Sequence, residues 1–279
     1  MRKYISVLHC LRGREPPTLT QQLEAHGCRH HKTVRIFSAM SSQEASREDS
    51  NVHYHTGTTG AKITVNEVKL KGRGDLSLAC DWGVGIGGGL WSTGLLLIEH
   101  LCTHAALYDE ALRDRRVLEL GSGTGLVGLA AARFGPPREV VITDLESHLD
   151  MCRSNVDRNA ASTATNQDCC KVIRVEKYDW SGEVPAQLGV VPFDIILGTD
   201  VAYYEHLYDP FIRALDRTAG PNTLILLGVT RTDTGPAFFD ALDKAGFEYN
   251  LVEQASHKGF GLFSVFRERQ EDQLSQPLH

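Results

Sequence analysis

The residues of this chain best suited to chemistry are a group of glycines followed by an acid. An apolar segment, 117–120, predicts a strand that runs into a tight turn containing Gly121, Gly123 and Gly125. A helix of small residues follows, and the next apolar strand ends in Asp144. Such a unit usually binds an adenosine-containing cofactor at its first turn, where backbone and ligand approach closely. The acid is then placed to bond both ribose hydroxyls.

The glycine turn alone leaves two cofactors open, because segment 123–128 also satisfies the nicotinamide pattern G-x-G-x-x-G. Glu119 precedes the turn, where a carboxylate can hold the glycine loop or an ammonium group but is unfavourable beside a pyrophosphate. Asp179 and Trp180 follow the third predicted strand and suit an adenine, the carboxylate near its amino group and the indole against its face. These residues favour S-adenosylmethionine over NAD.

Five motifs together resemble the seven-strand S-adenosylmethionine-dependent methyltransferases and, within them, the methyltransferase family 16 lineage. The motifs are Gly88-Gly-Leu-Trp91-Ser-Thr-Gly94, Glu119-Leu-Gly-Ser122-Gly-Thr-Gly125, Asp144, Asp179-Trp180 and Asp200-Val-Ala-Tyr203. The resemblance spans roughly residues 60–268. It implies transfer of methyl groups to a lysine side chain of a non-histone protein, with Trp91, Ser122 and Thr199 among the cofactor contacts. Relatives also modify histidine or arginine, and a small-molecule N-methyltransferase is a further alternative.

Asp200 and Tyr203 are the candidate catalytic pair, because they follow the fourth predicted strand at the edge where open α/β sheets bind ligands. We expect Asp200 to orient the attacking amine or to receive its proton through water. Tyr203 would line the acceptor slot, where a methylated ammonium gains cation–π energy. The alternative is that Asp200 caps a helix beginning at Tyr204 and that Tyr203 only packs. Ala202 replaces a bulkier apolar residue of the family pattern, so the motif does not decide the identity of the methyl acceptor.

The composition excludes several other classes of protein. The net charge of −6 argues against a main role in binding a nucleic-acid backbone, and an adenine methyltransferase would carry Asn/Asp-Pro-Pro-Tyr/Phe where this chain has Asp200-Val-Ala-Tyr203. No apolar run reaches the length of a membrane span. The seven cysteines lack C-x-x-C spacing, which predicts reduced thiols and no metal site. We therefore expect a cytoplasmic, monomeric enzyme, with the nucleus as an alternative and a mitochondrial presequence disfavoured.

Along the chain, the pattern predicts a doubly wound, Rossmann-like seven-stranded sheet whose last strand is antiparallel. A β-hairpin made of segments 61–70 and 75–80 precedes it, and the glycine-rich segment 81–89 is predicted to be a loop without regular structure. We assign residues 60–268 to the methyltransferase domain, 1–59 to a partly disordered N-terminal extension and linker, and 269–279 to a disordered tail. The sequence does not identify the substrate protein or the number of methyl groups.

Overall fold

A computed structural model of the chain describes residues 52–53, 63–160, 172–189, 192–230, 234–254 and 260–267. In chain order the strands are β1 (Val52–His53), β2 (Ile63–Val68), β3 (Leu76–Asp81), β4 (Arg116–Leu120), β5 (Glu139–Asp144), β6 (Ile173–Lys177), β7 (Phe193–Thr199), β8 (Ala219–Thr230), β9 (Phe247–Gln254) and β10 (Phe260–Arg267). The helices are α1 (Ser92–Thr103), α2 (Ala105–Leu112), α3 (Leu126–Ala131), α4 (Glu146–Ala160), α5 (Tyr208–Thr218) and α6 (Pro236–Lys244).

Seven strands form one sheet in the order β6-β5-β4-β7-β8-β10-β9. The first five are parallel, and β10 inserts antiparallel between β8 and β9. The predicted seven-stranded Rossmann-like sheet with an antiparallel last strand is thereby confirmed. This order brings the carboxyl ends of β4, β5 and β7 to one edge of the sheet, where ligands of doubly wound folds bind.

Alternate residues of the central strands point into two separate apolar layers. On β7, Ile195 and Leu197 pack into the layer that contains α1 and α3, whereas Ile196 packs against α5 and α6. This alternation follows from the two-residue period of a strand. Because both faces are covered by helices, the central strands are apolar over most of their length, which is why the sequence marks them clearly.

The predicted N-terminal hairpin is also confirmed, as β2 and β3 pair antiparallel. Two asparagines of α4 fasten it to the domain through its backbone. Asn155 accepts from the Ala79 amide at 2.7 Å and donates to the Ala79 carbonyl at 3.0 Å, and Asn159 makes the same pair of bonds with Ser77. The two side-chain amides therefore form hydrogen bonds with backbone groups of β3 that an edge strand would otherwise leave without a partner.

Some predicted boundaries are wrong. Segment 81–89 contains two short 3₁₀ turns, Trp82–Val84 and Ile86–Gly88, in place of an irregular loop. The helix expected to begin at Tyr204 begins at Tyr208, after a 3₁₀ turn at Glu205–Leu207. Val52 and His53, within the predicted linker, pair with β2. Most of the predicted extension and the whole predicted tail lie outside the described residues.

Candidate active site

A cavity of about 660 Å³ lies at the carboxyl ends of β4, β5 and β7, within the size range of small-molecule sites. Its lining comes mainly from segment 86–94, the glycine turn at 121–124, segment 178–181 and segment 199–207. The structure thus gathers at one site residues that are widely separated in the sequence. Ten of the twelve predicted site residues line it, and Glu119 and Gly125 do not.

Asp144 ties the glycine turn to the end of β5 while also lining the cavity. One carboxylate oxygen accepts from the Gly123 amide at 2.7 Å, and the other accepts from the Leu145 amide at 2.7 Å. The Nδ1 atom of His148 lies 3.0 Å from that second oxygen. The acid is therefore held in one orientation at the predicted ribose position.

Gly123 shows why the turn needs a residue without a side chain. Its φ of +54° is in the left-handed region, and a Cβ built on it would lie 2.6 Å from the Gly87 carbonyl oxygen. The glycine thus permits close approach between two protein segments at the cavity edge. Gly121 also has positive φ, and Ser122 donates its backbone amide to the Thr143 carbonyl at 3.0 Å.

Glu119 lies behind the glycine turn rather than in the cavity wall, and 3% of it is exposed. Its carboxylate accepts from the Gly128 amide in the first turn of α3 at 2.8 Å. Burial raises the pKa of Glu119 from 4.5 to about 8. Of its two predicted roles, this position favours support of the glycine loop and its helix over contact with a cofactor ammonium group. Gly125 likewise lies at the start of α3 in a left-handed conformation.

The segment after β6 places Asp179 and Trp180 on the cavity wall, at the predicted adenine position. The Trp180 ring packs edge-on against Phe211, with ring centroids 5.1 Å apart. Asp179 accepts from the Ser181 amide at 2.9 Å and from its hydroxyl at 2.7 Å. These bonds, the hydroxyl bond foremost, lower the pKa of Asp179. An aromatic face and an ionised carboxylate therefore stand side by side.

Asp200 makes a contact that the sequence did not indicate. Its Oδ2 atom accepts from the backbone amide of Thr93 at 3.0 Å and from the Thr93 hydroxyl at 2.7 Å. Thr93 belongs to the first turn of α1, where backbone amides have no partner within the helix. Asp200 therefore accepts a hydrogen bond from the first turn of a helix, across 107 residues of sequence. The helix considered as the one that Asp200 caps does not begin at Tyr204: α5 begins at Tyr208, and its N-cap residue is Leu207.

The backbone around Asp200 is also unusual. Its φ is +55°, and its amide donates to the Gly228 carbonyl at 3.0 Å. Aspartate tolerates the left-handed region better than most residues but still at some cost in free energy. Such strain is often retained where a side chain must be aimed at a ligand. Thr199, directly before it, also lines the cavity.

Aromatic side chains surround the mouth of the cavity. Tyr203 is half-buried beside Tyr204, with ring centroids 4.8 Å apart, and burial raises the pKa of the Tyr203 phenol. Trp91 is 39% exposed, and its indole N–H donates to the Ile86 carbonyl at 2.9 Å. Trp82 packs edge-on against Trp91. The predicted Trp91 and Tyr203 thus both line the cavity and are both partly exposed.

Sequence reasoning missed His148 and Thr93. His148 follows Asp144 by one helical turn, a spacing that could have indicated the contact. Its hydrogen bond with Asp144 is the main reason that the pKa of His148 is raised. Thr93 lies within the motif at 88–94, but nothing in the sequence indicated its contact, because its partner Asp200 is remote in the sequence.

The charges of the cavity suit a cationic ligand. Among the described lining residues there are three aspartates, Asp144, Asp179 and Asp200, and no lysine or arginine. S-adenosylmethionine carries a sulfonium and an ammonium group, which such a surround favours, whereas the pyrophosphate of NAD would meet like charge. The residues present therefore fit the predicted cofactor.

The sequence model of a family described as lysine methyltransferase matches residues 71–245 of this chain. The chain belongs to this family. The predicted membership is thereby confirmed, and with it S-adenosylmethionine as the cofactor that the family uses.

Individual relatives agree with the family match. The chain is similar to the protein-lysine N-methyltransferase EEF2KMT of Mus musculus, with 30% identity over 61% of this chain and 52% of that protein. It is also similar to the protein N-lysine methyltransferase METTL21A of Danio rerio, with 32% identity over 54% of this chain and 65% of that protein. The matched region spans about half of the first and just under two thirds of the second.

Among solved structures, the chain resembles a Thermus thermophilus 16S rRNA N2 G1207 methyltransferase that was determined with AdoMet and guanosine. The TM-score is 0.54 at 17% identity, covering 75% of this chain and 51% of that one. At this identity the likeness concerns the fold alone.

Proposed function

We propose that this protein transfers methyl groups from S-adenosylmethionine to a lysine side chain of a non-histone protein. The observation that supports this most directly is that Asp144, Trp180, Asp200 and Tyr203 all line one cavity. The two curated relatives described above are both named as protein-lysine methyltransferases, which favours lysine among the possible acceptors.

Each part of the cavity has a role in this proposal. When bound, the cofactor supplies an electrophilic methyl group, so the chain has mainly to position the acceptor and control its proton. Asp144 binds the ribose, and Trp180 with Asp179 binds the adenine. Thr199 and Ser122 contribute backbone to the cofactor wall, and Trp91 closes it at the entrance.

The acceptor lysine must lose a proton before it can attack. Starting from a pKa near 10.4, deprotonation at pH 7 costs about 4–5 kcal/mol. The half-buried Tyr203 lowers this cost by giving the amine an apolar, aromatic surround in which the ammonium form is disfavoured. Asp200, whose Oδ2 is held by Thr93 at the cavity wall, would orient the amine or receive its proton through water.

The rim offers a surface on which a folded protein can rest. Three large apolar side chains near the entrance are notably exposed: Trp82 at 54%, Tyr204 at 56% and Ile86 at 44%. Aromatic residues are enriched where proteins bind other proteins. A cavity with an exposed apolar rim suits a macromolecular acceptor better than a free metabolite.

The test is to incubate the full chain with S-adenosylmethionine labelled in its methyl group and a cell lysate. We expect label on a discrete protein band, and mass spectrometry of that band should find methyl-lysine. Label on histidine or arginine would change the acceptor residue. Label in protein-free extract, with none on protein, would overturn the proposal in favour of a small-molecule substrate.

Three further expectations belong to this proposal: no nucleic-acid substrate, a monomeric state and a cytoplasmic location. The net charge of −6 supports the first. No helix in the described part of the chain combines the length and apolar character that a membrane crossing requires. Size-exclusion chromatography with light scattering and a fluorescent fusion of the full chain test the other two.

A further inference from the structure

A second cluster of chemically active side chains lies away from the cavity, where α1 ends near the C-terminal strands. His100 is in the last turn of α1, His104 directly follows that helix, and Glu253 is on β9. Their potential ligand atoms all lie within 4.8 Å of one another. None of the three lines the cavity, so methyl transfer does not account for them.

The imidazole of His100 is fixed on both sides. It is completely buried; its Nδ1 contacts Oε2 of Glu253, and its Nε2 lies 3.0 Å from the hydroxyl of Tyr108. Metal-binding histidines usually have their second ring nitrogen held by a hydrogen-bonding partner, which fixes the ring and the tautomer. Tyr108, itself 2% exposed, is placed to do this for His100.

We propose that His100, His104 and Glu253 form a zinc site. Two imidazoles and one carboxylate are a common zinc donor set, and they leave a fourth position for water. Two ligand atoms about 2.1 Å from a tetrahedral zinc ion lie about 3.4 Å apart. The separations here range from the direct contact of His100 with Glu253 up to at most 4.8 Å, so side-chain shifts on the order of 1 Å bring the three atoms to zinc distances. Side-chain rotation at the partly exposed His104 and Glu253 can supply such shifts.

The surroundings also favour a cation. The last carbonyl groups of α1 point toward its C-terminal end, where the helix dipole is negative, and Glu253 adds a formal negative charge. His104 lies next to His100 with ring centroids 4.6 Å apart, an arrangement in which an ion between the nitrogens would replace ring contact with coordination.

Such an ion would link distant parts of the chain. His100 and Glu253 are 153 residues apart, and zinc would hold the end of α1 to β9. The same helix carries Thr93, the partner of Asp200, in its first turn. Zinc would therefore act as a clamp that stabilises the fold and the helix that positions Asp200. The sequence predicted no metal site, because the ligands do not form a recognisable spacing.

The experiment uses the full chain after removal of metals with a chelator. Calorimetric titration with zinc chloride should show one more binding event in the wild type than in His104→Ala or Glu253→Gln. If the variants keep that event, their zinc affinity at this site should be about 100-fold lower than that of the wild type. The control Glu248→Gln removes the same charge from an exposed position on the same strand and should bind like the wild type. Magnesium, which prefers oxygen ligands, should not compete.

Two further readouts separate this site from the seven cysteines and the other histidines. Cobalt(II) at the site should give visible absorption without the thiolate charge-transfer band of a cysteine site, and both ligand variants should lose that absorption. Zinc should raise the Tm of the wild type and of Glu248→Gln but not of the ligand variants. Folded His104→Ala and Glu253→Gln proteins that bind zinc like the wild type would refute the site and leave a hydrogen-bonded histidine–glutamate pair.

Discussion

At the scale of single residues, Asp200 has two roles that must be separated. Its Oδ2 holds the start of α1 through Thr93, while its backbone adopts a positive φ at the cavity wall. A purely structural link would need only an acceptor oxygen. A catalytic role needs the negative charge as well, because proton removal and orientation of an ammonium both depend on it.

Asp200→Asn distinguishes these roles, since asparagine keeps an acceptor oxygen and also tolerates positive φ. If the charge acts in catalysis, turnover should fall by about 100-fold or more, with Tm nearly unchanged. Cofactor Kd should change by less than about tenfold, because the substitution leaves the residues proposed to bind ribose and adenine unchanged. The measurements are methylation rate, cofactor Kd and Tm on one set of proteins.

Two matched variants complete that test. Thr93→Val removes one of the two hydrogen bonds to Asp200 and should reduce turnover less than Asp200→Asn does. Asp200→Ala removes the link altogether and places alanine at a positive φ, so it should lose at least about 1 kcal/mol of stability, the scale of a helix cap alone. Normal turnover in folded Asp200→Asn would show that this residue serves only to hold α1.

Glu119 leads to a prediction about pH. Because its pKa is about 8 in the folded chain against 4.5 ordinarily, the folded protein keeps a proton that the unfolded chain releases between these values. The free energy of unfolding should therefore fall as pH rises from about 4.5 to 8. Glu119→Gln cannot titrate and keeps an oxygen for the Gly128 amide, so its Tm should decline less over this interval. Parallel Tm curves for the two proteins from pH 5 to 8.5 would contradict the assignment.

At the scale of elements, the sequence predicts the helices and strands that a local pattern of apolar residues or glycines marks. The buried strands, the glycine turn and the final strand pair were all found, because apolar runs and glycines mark them directly. Helix α2 (Ala105–Leu112) was not predicted, since it follows α1 after a single residue. The start of α5 was placed too early because Tyr204 to Leu207 forms an extended residue and a 3₁₀ turn.

The glycine turn gives an element-scale prediction. Gly123→Ala should weaken cofactor binding by about tenfold or more, because the added Cβ, 2.6 Å from the Gly87 carbonyl, must displace segment 86–89 or the turn itself. Gly125→Ala is the control: it lies in the same turn with a left-handed φ, but its Cβ would meet only side-chain atoms at 3.6 Å or more. Cofactor Kd and Tm are measured for both. Equal losses of affinity would mean that backbone strain alone, and not the contact with Gly87, explains the effect.

At the scale of the whole molecule, the site depends on contacts that no local pattern reveals. Thr93 meets Asp200 across 107 residues, and Asn155 joins α4 to the hairpin that leads into the cavity rim. The sequence identified the polar residues at the strand ends because the sheet topology places them together. It could not identify their partners, which depend on how α1 and α4 pack against that sheet.

The charge of the cavity is also a property of the whole molecule, because it depends on residues that the fold brings together. We expect this charge to decide which cofactor binds. Three aspartates without a lysine or arginine among the described lining residues should favour a sulfonium and repel a pyrophosphate. A ligand that binds only the folded state at 100 times its Kd adds about 2.7 kcal/mol to the free energy of unfolding. S-adenosylmethionine should therefore raise Tm by several degrees, whereas NAD at the same concentration should leave it unchanged. Asp144→Asn should reduce the shift with S-adenosylmethionine, because an amide has one acceptor oxygen where the carboxylate has two to share among Gly123, His148 and the proposed ribose contact. A Tm increase with NAD that equals or exceeds the increase with S-adenosylmethionine would show that the charge of the cavity does not select its ligand.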